Sequence, residues 1–131
     1  MSVQAVLQAA LVAALRGHGL AVTAVFDAPP VRAARPYALV EESLLGDWGT
    51  KDMAGREARV AIALFDGGES PARLRALAGE AETAILAMPR AIGAGWALAS
   101  VMLLRARIGR EGEGHWKSVS EFRVRMLRSE L

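Results

Sequence analysis

The histidines and paired carboxylates are the side chains of this sequence that could take part in acid–base chemistry. His18 and His115 lie in or beside glycine-rich turns, far apart in the chain. Glu41 and Glu42 are adjacent on a strand-like segment, so their side chains point to opposite faces of a sheet. A nucleophile needs a base within hydrogen-bond reach, and none of these groups offers that arrangement. We therefore expect no catalytic residue and no enzymatic activity.

Metal and phosphate sites are also poorly supported by the sequence. The chain has no cysteine, and two distant histidines do not make a structural zinc site. Asp47 and Asp52 flank a loop, where a hard cation would need about six oxygen ligands. The glycine clusters at residues 93–95 and 109–114 lead into strand patterns, whereas a phosphate-binding loop follows a strand and opens a helix. We predict no metal and no cofactor.

Composition fits a single domain that spans residues 1–131. A chain of 131 residues buries about two-thirds of its unfolded surface. Fourteen of the sixteen basic residues are arginine and the net charge is only +2, which indicates a weakly basic surface. No run of strongly apolar residues reaches membrane-spanning length, and the N-terminus lacks the basic region of a signal peptide. These features predict a cytoplasmic protein with no membrane partner.

The spacing of apolar and breaker residues predicts a helix, three strands, a second helix and two strands. Ser2 caps the first helix, and Gly17 and Gly19 stop it. Ser70 caps the second, with Pro71 at its first position. Strands are predicted over residues 21–26, 37–42 and 56–65, followed by a hairpin of residues 96–108 and 116–128. We expect an α+β fold with an antiparallel sheet of four to five strands and both helices packed on one face.

Residues 47–57 place a tryptophan and a lysine in a glycine-punctuated loop between two of these strands. A loop runs over the surface because its backbone polar groups need water or partners. Trp48 therefore either folds back onto the core or contacts another protein. This loop indicates assembly rather than catalysis.

The last two strands carry a cluster of arginines. Arg105 and Arg107 share one face of their strand, and Arg123 and Arg125 share a face of theirs. If the two faces coincide, four guanidinium groups lie on one patch of sheet. Such a patch is either a solvated face with Glu121 interspersed, or an interface or a surface that faces nucleic acid.

The order of elements and three short segments carry a resemblance to a known family. The segments are residues 36–40, 47–52 and 55–57, completed by the helix from Ser70 and the hairpin of residues 105–125. Together they resemble the small tail terminator, or tail completion, proteins of long-tailed phages and of the related gene transfer agents of alphaproteobacteria. Gly49 stands where family members often have serine or threonine.

The resemblance implies a structural role without catalysis. Such proteins form a ring, of six copies, on the head-proximal end of the tail tube, where the ring stops tube growth and joins the tail to the head connector. The implied partners are further copies of the chain, the tail tube protein and the connector or stopper protein. DNA would pass through the ring without sequence-specific binding. The protein would assemble in the bacterial cytoplasm and end in the virion tail.

A closed ring needs two different patches on each subunit, meeting head to tail. The tryptophan loop and the hairpin are best suited to reach a neighbour, and Trp48 and Lys51 are predicted to anchor against the sheet or hairpin of the next subunit. The candidate interface residues are Trp48, Thr50, Lys51, Asp52, Arg56, Arg105, Arg107, Arg110, Trp116, Arg123 and Arg125. The alternative function is a small basic α+β nucleic-acid-binding module that uses the arginine face.

Overall fold

A computed structural model describes residues 1–129, which form two helices and seven strands. Helix α1 spans Val3–His18; the Ser2 hydroxyl accepts a hydrogen bond from the Ala5 N–H at 3.1 Å. The helix continues through Gly17 and ends at Gly19, whose φ of 75° is left-handed, a conformation in which glycine has no Cβ penalty. The predicted cap at Ser2 is thus confirmed, and the helix stops only at the second glycine.

Helix α2 spans Ala72–Leu86. The Ser70 hydroxyl accepts a hydrogen bond from the Ala72 N–H at 3.1 Å, but the N-cap residue is Pro71 and it forms no side-chain cap hydrogen bond. Ser70 therefore lies one residue before the cap position that was predicted for it. Pro71 lies just before the first helical residue rather than at it. Leu74, Leu77 and Ile85 are buried along its inner side, in agreement with the predicted stripe.

The seven strands form one curled sheet in the order β1-β2-β4-β7-β6-β5, with β3 paired to β4 beyond the end of β2. Their bounds are Val25–Phe26 (β1), Tyr37–Val40 (β2), Leu44–Asp47 (β3), Gly55–Gly67 (β4), Ala91–Gly93 (β5), Trp96–Arg110 (β6) and His115–Arg128 (β7). β1 runs parallel to β2 and every other pair is antiparallel. The predicted α+β class is confirmed. The prediction of a purely antiparallel sheet of four to five strands was wrong.

The sheet differs from the predicted one because three of its strands are short. β1, β3 and β5 have only two to four residues each, which is too short for an alternating pattern to register. The first predicted strand, residues 21–26, reduces to its last two residues, and the second is interrupted at residues 41–43, after which β3 continues along β4. The long hairpin of β6 and β7 is present as predicted.

The helices pack on one side of the sheet in different ways. Helix α2 lies on β4, β6 and β7, while α1 contacts α2 and the flanking strands β1, β2 and β5. One apolar core joins both helices to the sheet. Its side chains of less than 2% exposure include Leu7, Leu11, Leu15, Ile62, Leu64, Leu74, Ile85, Phe122 and Met126.

An ion pair joins the sheet to α2 where β4 ends. The carboxylate of Asp66 is buried, with 2% of the residue exposed. The Arg73 guanidinium donates to it from Nε at 2.9 Å and from Nη2 at 2.5 Å, and the Gly67 N–H donates at 2.8 Å. The hydrogen bonds from Arg73 are the main reason that the pKa of Asp66 lies below its ordinary value.

This pair makes stability depend on pH. A lowered folded-state pKa contributes stability above the unfolded value of about 3.9, and that contribution is lost as the pH falls through the folded pKa. Asp66→Asn is therefore expected to cost about 2 kcal/mol near neutral pH, with the difference from the parent shrinking below about pH 4. Urea unfolding of the parent and the variant, from neutral pH to below about pH 4, measures this difference in the free energy of unfolding. Glu69→Gln, at an exposed position, is the control. A difference that stays constant with pH would contradict the assignment.

Candidate functional site

One face of the sheet carries no helix of residues 1–129; we call it the open face. On β4, Ala58, Val60 and Ile62 are buried toward the helices, so the intervening side chains lie on the opposite side. The strand register aligns their neighbours on β7 and β6 with them. The charged side chains of the open face are Glu41, Glu57, Arg59, Arg105, Arg107, Lys117, Glu121, Arg123 and Arg125.

The register therefore brings the four arginines of the hairpin onto one face, as the sequence allowed. Arg59 and Lys117 extend the cluster, so six basic and three acidic side chains lie on this side of a chain whose net charge is only +2. Charge of one sign that is concentrated on one surface attracts partners of the opposite sign.

Two of the open-face carboxylates, Glu57 and Glu121, are shared among the arginines. Glu121 accepts a hydrogen bond from Arg105 Nε at 2.5 Å, which lowers the pKa of Glu121. One Glu57 oxygen lies 3.9 Å from Arg123 Nε and 3.8 Å from Arg125 Nε. These two Nε atoms are buried and form no hydrogen bond with residues 1–129. The open face thus keeps a net positive charge after its internal pairs are formed.

The tryptophan loop, residues 48–54, joins β3 to β4 and closes on itself. The Trp48 N–H donates to the Gly55 carbonyl at 3.1 Å, and the Thr50 N–H donates to the Met53 carbonyl at 2.9 Å. A Cβ at Gly55 would lie 2.7 Å from the Trp48 carbonyl oxygen, so the base of the loop requires glycine there. Lys51 and Asp52 are exposed at its tip.

Trp48 folds back rather than extending into solvent. The half-buried indole has the Arg125 guanidinium carbon 5.2 Å from its ring centroid, within the range of a cation–π contact. This contact joins the tryptophan loop to the arginines of the open face. Trp48, Arg123 and Arg125 therefore form one continuous surface.

Three of the candidate interface residues, Arg56, Arg110 and Trp116, lie outside this surface. Arg56 is opposite Met126 on the helix side of the sheet, and its Nη1 is 3.8 Å from Asp47. Trp116 is paired with Asp66 at the other end of β4, where its Nε1 donates to the Gly68 carbonyl at 3.1 Å. The Arg110 guanidinium carbon stacks 4.6 Å above the Trp116 ring.

Sequence reasoning missed four charged members of the open face, Glu41, Glu57, Arg59 and Lys117. The alternation of buried Ala58 and Val60 already assigns Glu57 and Arg59 to the other side of β4. That signal was available, but only pairing with β7 shows that both residues join the hairpin arginines.

The arrangement is suited to contacts with macromolecules. Within residues 1–129, no group of three or more His, Asp or Glu side chains is placed to hold a metal ion. No helix in the same part of the chain is long and apolar enough to cross a bilayer. Arginine and tryptophan on an open surface are the residue types most enriched at protein interfaces.

The fold and this surface define a small α+β subunit of the assembling kind. The chain belongs to the family of the tail completion protein gp17, whose sequence model matches residues 3–127. It is also similar to a chain in the solved structure of the virion of a native gene transfer agent particle. That match has a TM-score of 0.74 and 26% sequence identity, and covers 92% of this chain and 94% of the other. No curated protein matches the chain.

The resemblance inferred from sequence is therefore confirmed. Members of this family are structural proteins of virion tails. This membership supports the first of the two functions that the sequence left open, a structural tail protein, over a free-standing nucleic-acid-binding module.

Proposed function

We propose that this chain forms a ring on the head-proximal end of a phage-like tail tube, of the kind found in gene transfer agents. The ring ends tube polymerisation and joins the tail to the head connector. The observation that carries the proposal is the match over 92% of the chain to a subunit of a gene transfer agent virion. Assembly takes place in the bacterial cytoplasm, and the ring then stays in the virion tail.

The surfaces of the chain support closure into a ring. A heterologous contact needs two unlike patches that meet with a rotation, and a stable one buries about 800 Å² per partner. The tryptophan loop and β3 lie at one side of the sheet, and the hairpin strand β6 lies near the other. The residues proposed to contact a neighbouring subunit or another partner are Trp48, Thr50, Lys51, Asp52, Arg56, Arg105, Arg107, Arg110, Trp116, Arg123 and Arg125.

The proposed partners follow from this position in the particle. Identical copies, six in number, meet side by side, while the tube protein and the connector protein meet the two ends of the ring. DNA passes through the centre without sequence-specific binding. The positive open face suits this passage because contacts between arginine and phosphate carry no base information.

Removing the protein from a producing strain tests the proposal. Without a cap, tubes are expected to grow beyond their normal length and to remain without heads, because nothing ends polymerisation or presents the connector surface. Electron microscopy of the particles measures tube length and head attachment. Re-expression of the parent chain is the control. Tubes of ordinary length with heads attached would refute the proposed role.

A further inference from the structure

Two edge segments of the sheet, β3 and most of β6, have one side that pairs with no other strand of residues 1–129. On one side β3, Leu44–Asp47, is hydrogen-bonded to β4 and to no other strand. On the other, β5 covers β6 only at Trp96 and Ala97, and Leu98 bonds the Arg90 carbonyl, so β6 is open from residue 99 to 110. Open edges present unpaired backbone donors and acceptors that can pair with another chain.

The two edges carry opposite charge. Residues 41–47 contain three acidic and no basic residues, whereas residues 96–110 contain three arginines and no acidic residue. Charged edges usually prevent association between like strands. Here each edge repels a copy of itself and attracts the other edge, which favours head-to-tail contact over a two-fold contact.

Strand direction is compatible with continuous pairing. From β3 the path across the sheet runs through β4 and β7 to β6, and each of these three steps is antiparallel. β6 is therefore antiparallel to β3 within one subunit. Rotation about a ring axis keeps the direction of each strand along that axis, so β3 of one copy would meet β6 of the next as an antiparallel pair.

The irregularities of the two edges also match. The Glu41 N–H donates to the Ala61 carbonyl, and Leu44 pairs with Arg59. The chain therefore advances by three residues on this edge while β4 advances by two. On β6, Met102 pairs with Arg123 and Arg105 pairs with Glu121. Here too the edge strand advances by three residues while its neighbour, β7, advances by two. Each edge thus has one extra residue between two side chains of the open face.

We propose that β3 of one copy pairs antiparallel with β6 of the next, with Leu44 opposite Met102 and Glu41 opposite Arg105. This register brings together two exposed apolar side chains, Leu44 at 76% and Met102 at 47% exposure. It also places a carboxylate beside a guanidinium. The inference rests on the proposed ring and specifies its subunit interface.

The pairing has a consequence for the centre of the ring. Both helices lie on one side of the sheet and make that side the bulkier one. Because the outer circumference of a closed ring is the wider, the helices are placed on the outside of the ring. The open face, with Arg59, Arg123 and Arg125, then lines the passage and faces the phosphates of the DNA.

Cysteine cross-linking tests the register, because the native chain has no cysteine. Purified Leu44→Cys and Met102→Cys proteins are oxidised separately and as a mixture. A directly opposed pair lies within disulfide reach, so the mixture is expected to give a covalent dimer that neither variant gives alone. Leu86→Cys, exposed on α2, mixed with either variant is the control and should remain monomeric on the gel.

Native mass spectrometry of the same samples separates the possible failures. A ring that forms without the cross-link between positions 44 and 102 would overturn the edge pairing and leave the proposed function standing. Self-cross-linking of Leu44→Cys alone would indicate a two-fold contact and would also overturn it. A protein that assembles neither in solution nor on purified tubes would overturn the ring as well.

Discussion

Replacing Trp48 with alanine is expected to abolish ring assembly while leaving the fold intact. Truncation of a tryptophan at the centre of an interface typically costs 2 kcal/mol or more, and the loss is repeated at each contact of a closed ring. Within the subunit the half-buried indole contacts the Arg125 guanidinium, and this contact is worth about 1 kcal/mol. Native mass spectrometry and tail assembly in a producing strain measure the first effect, and thermal unfolding measures the second.

Met53→Ala is the matched control for this variant. Met53 lies in the same loop and is also apolar, but its side chain is exposed. We expect it to assemble as the parent does. If Trp48→Ala assembles normally onto tails, the tryptophan loop is not part of the interface and the proposed anchor is wrong.

Replacing Phe122 with alanine is expected to remove most of the stability of the domain. Phe122 is fully buried at the middle of β7, between Val60 of β4 and Leu103 of β6. Truncation of a buried phenylalanine costs about 4 kcal/mol, including the cavity that remains, out of a total of about 5–15 kcal/mol for a domain. Urea unfolding followed by circular dichroism measures the loss.

Leu86→Ala provides the comparison, because Leu86 is half-exposed near the end of α2. Its cost is expected to stay within about 0.5 kcal/mol. A loss below about 1 kcal/mol for Phe122→Ala would mean that the sheet closes the space or that the core is centred elsewhere.

The long elements could be predicted because their signals are local. Ser2 caps its helix through a hydrogen bond from an amide three residues away, and Ser70 accepts one from the first amide of α2. The hairpin of residues 96–128 shows its alternation over many positions. β3 has no such local signal. It has only four residues, including Gly46, and it pairs with β4 only where β4 extends beyond β2.

The candidate surface was predictable only in part. Arg105 with Arg107, and Arg123 with Arg125, share a face because side chains alternate along a strand. Whether the two pairs share the same face depends on the register between strands, and a shift of one residue would have separated them. The bulge between Leu103 and Arg105 is part of that register. It has no sequence signature of its own.

The α+β class, the positions of both helices and the hairpin, and the family resemblance could be inferred from the amino-acid sequence. All of these depend on residue type and short-range spacing. The three-dimensional packing was needed to show that Arg59 and Lys117 join the arginines and that Trp48 lies over Arg125. It was also needed to show that, among residues 1–129, an acidic edge and a basic edge are open on opposite sides of the sheet. These features depend on which strands become neighbours, and that is set by the packing of the whole core.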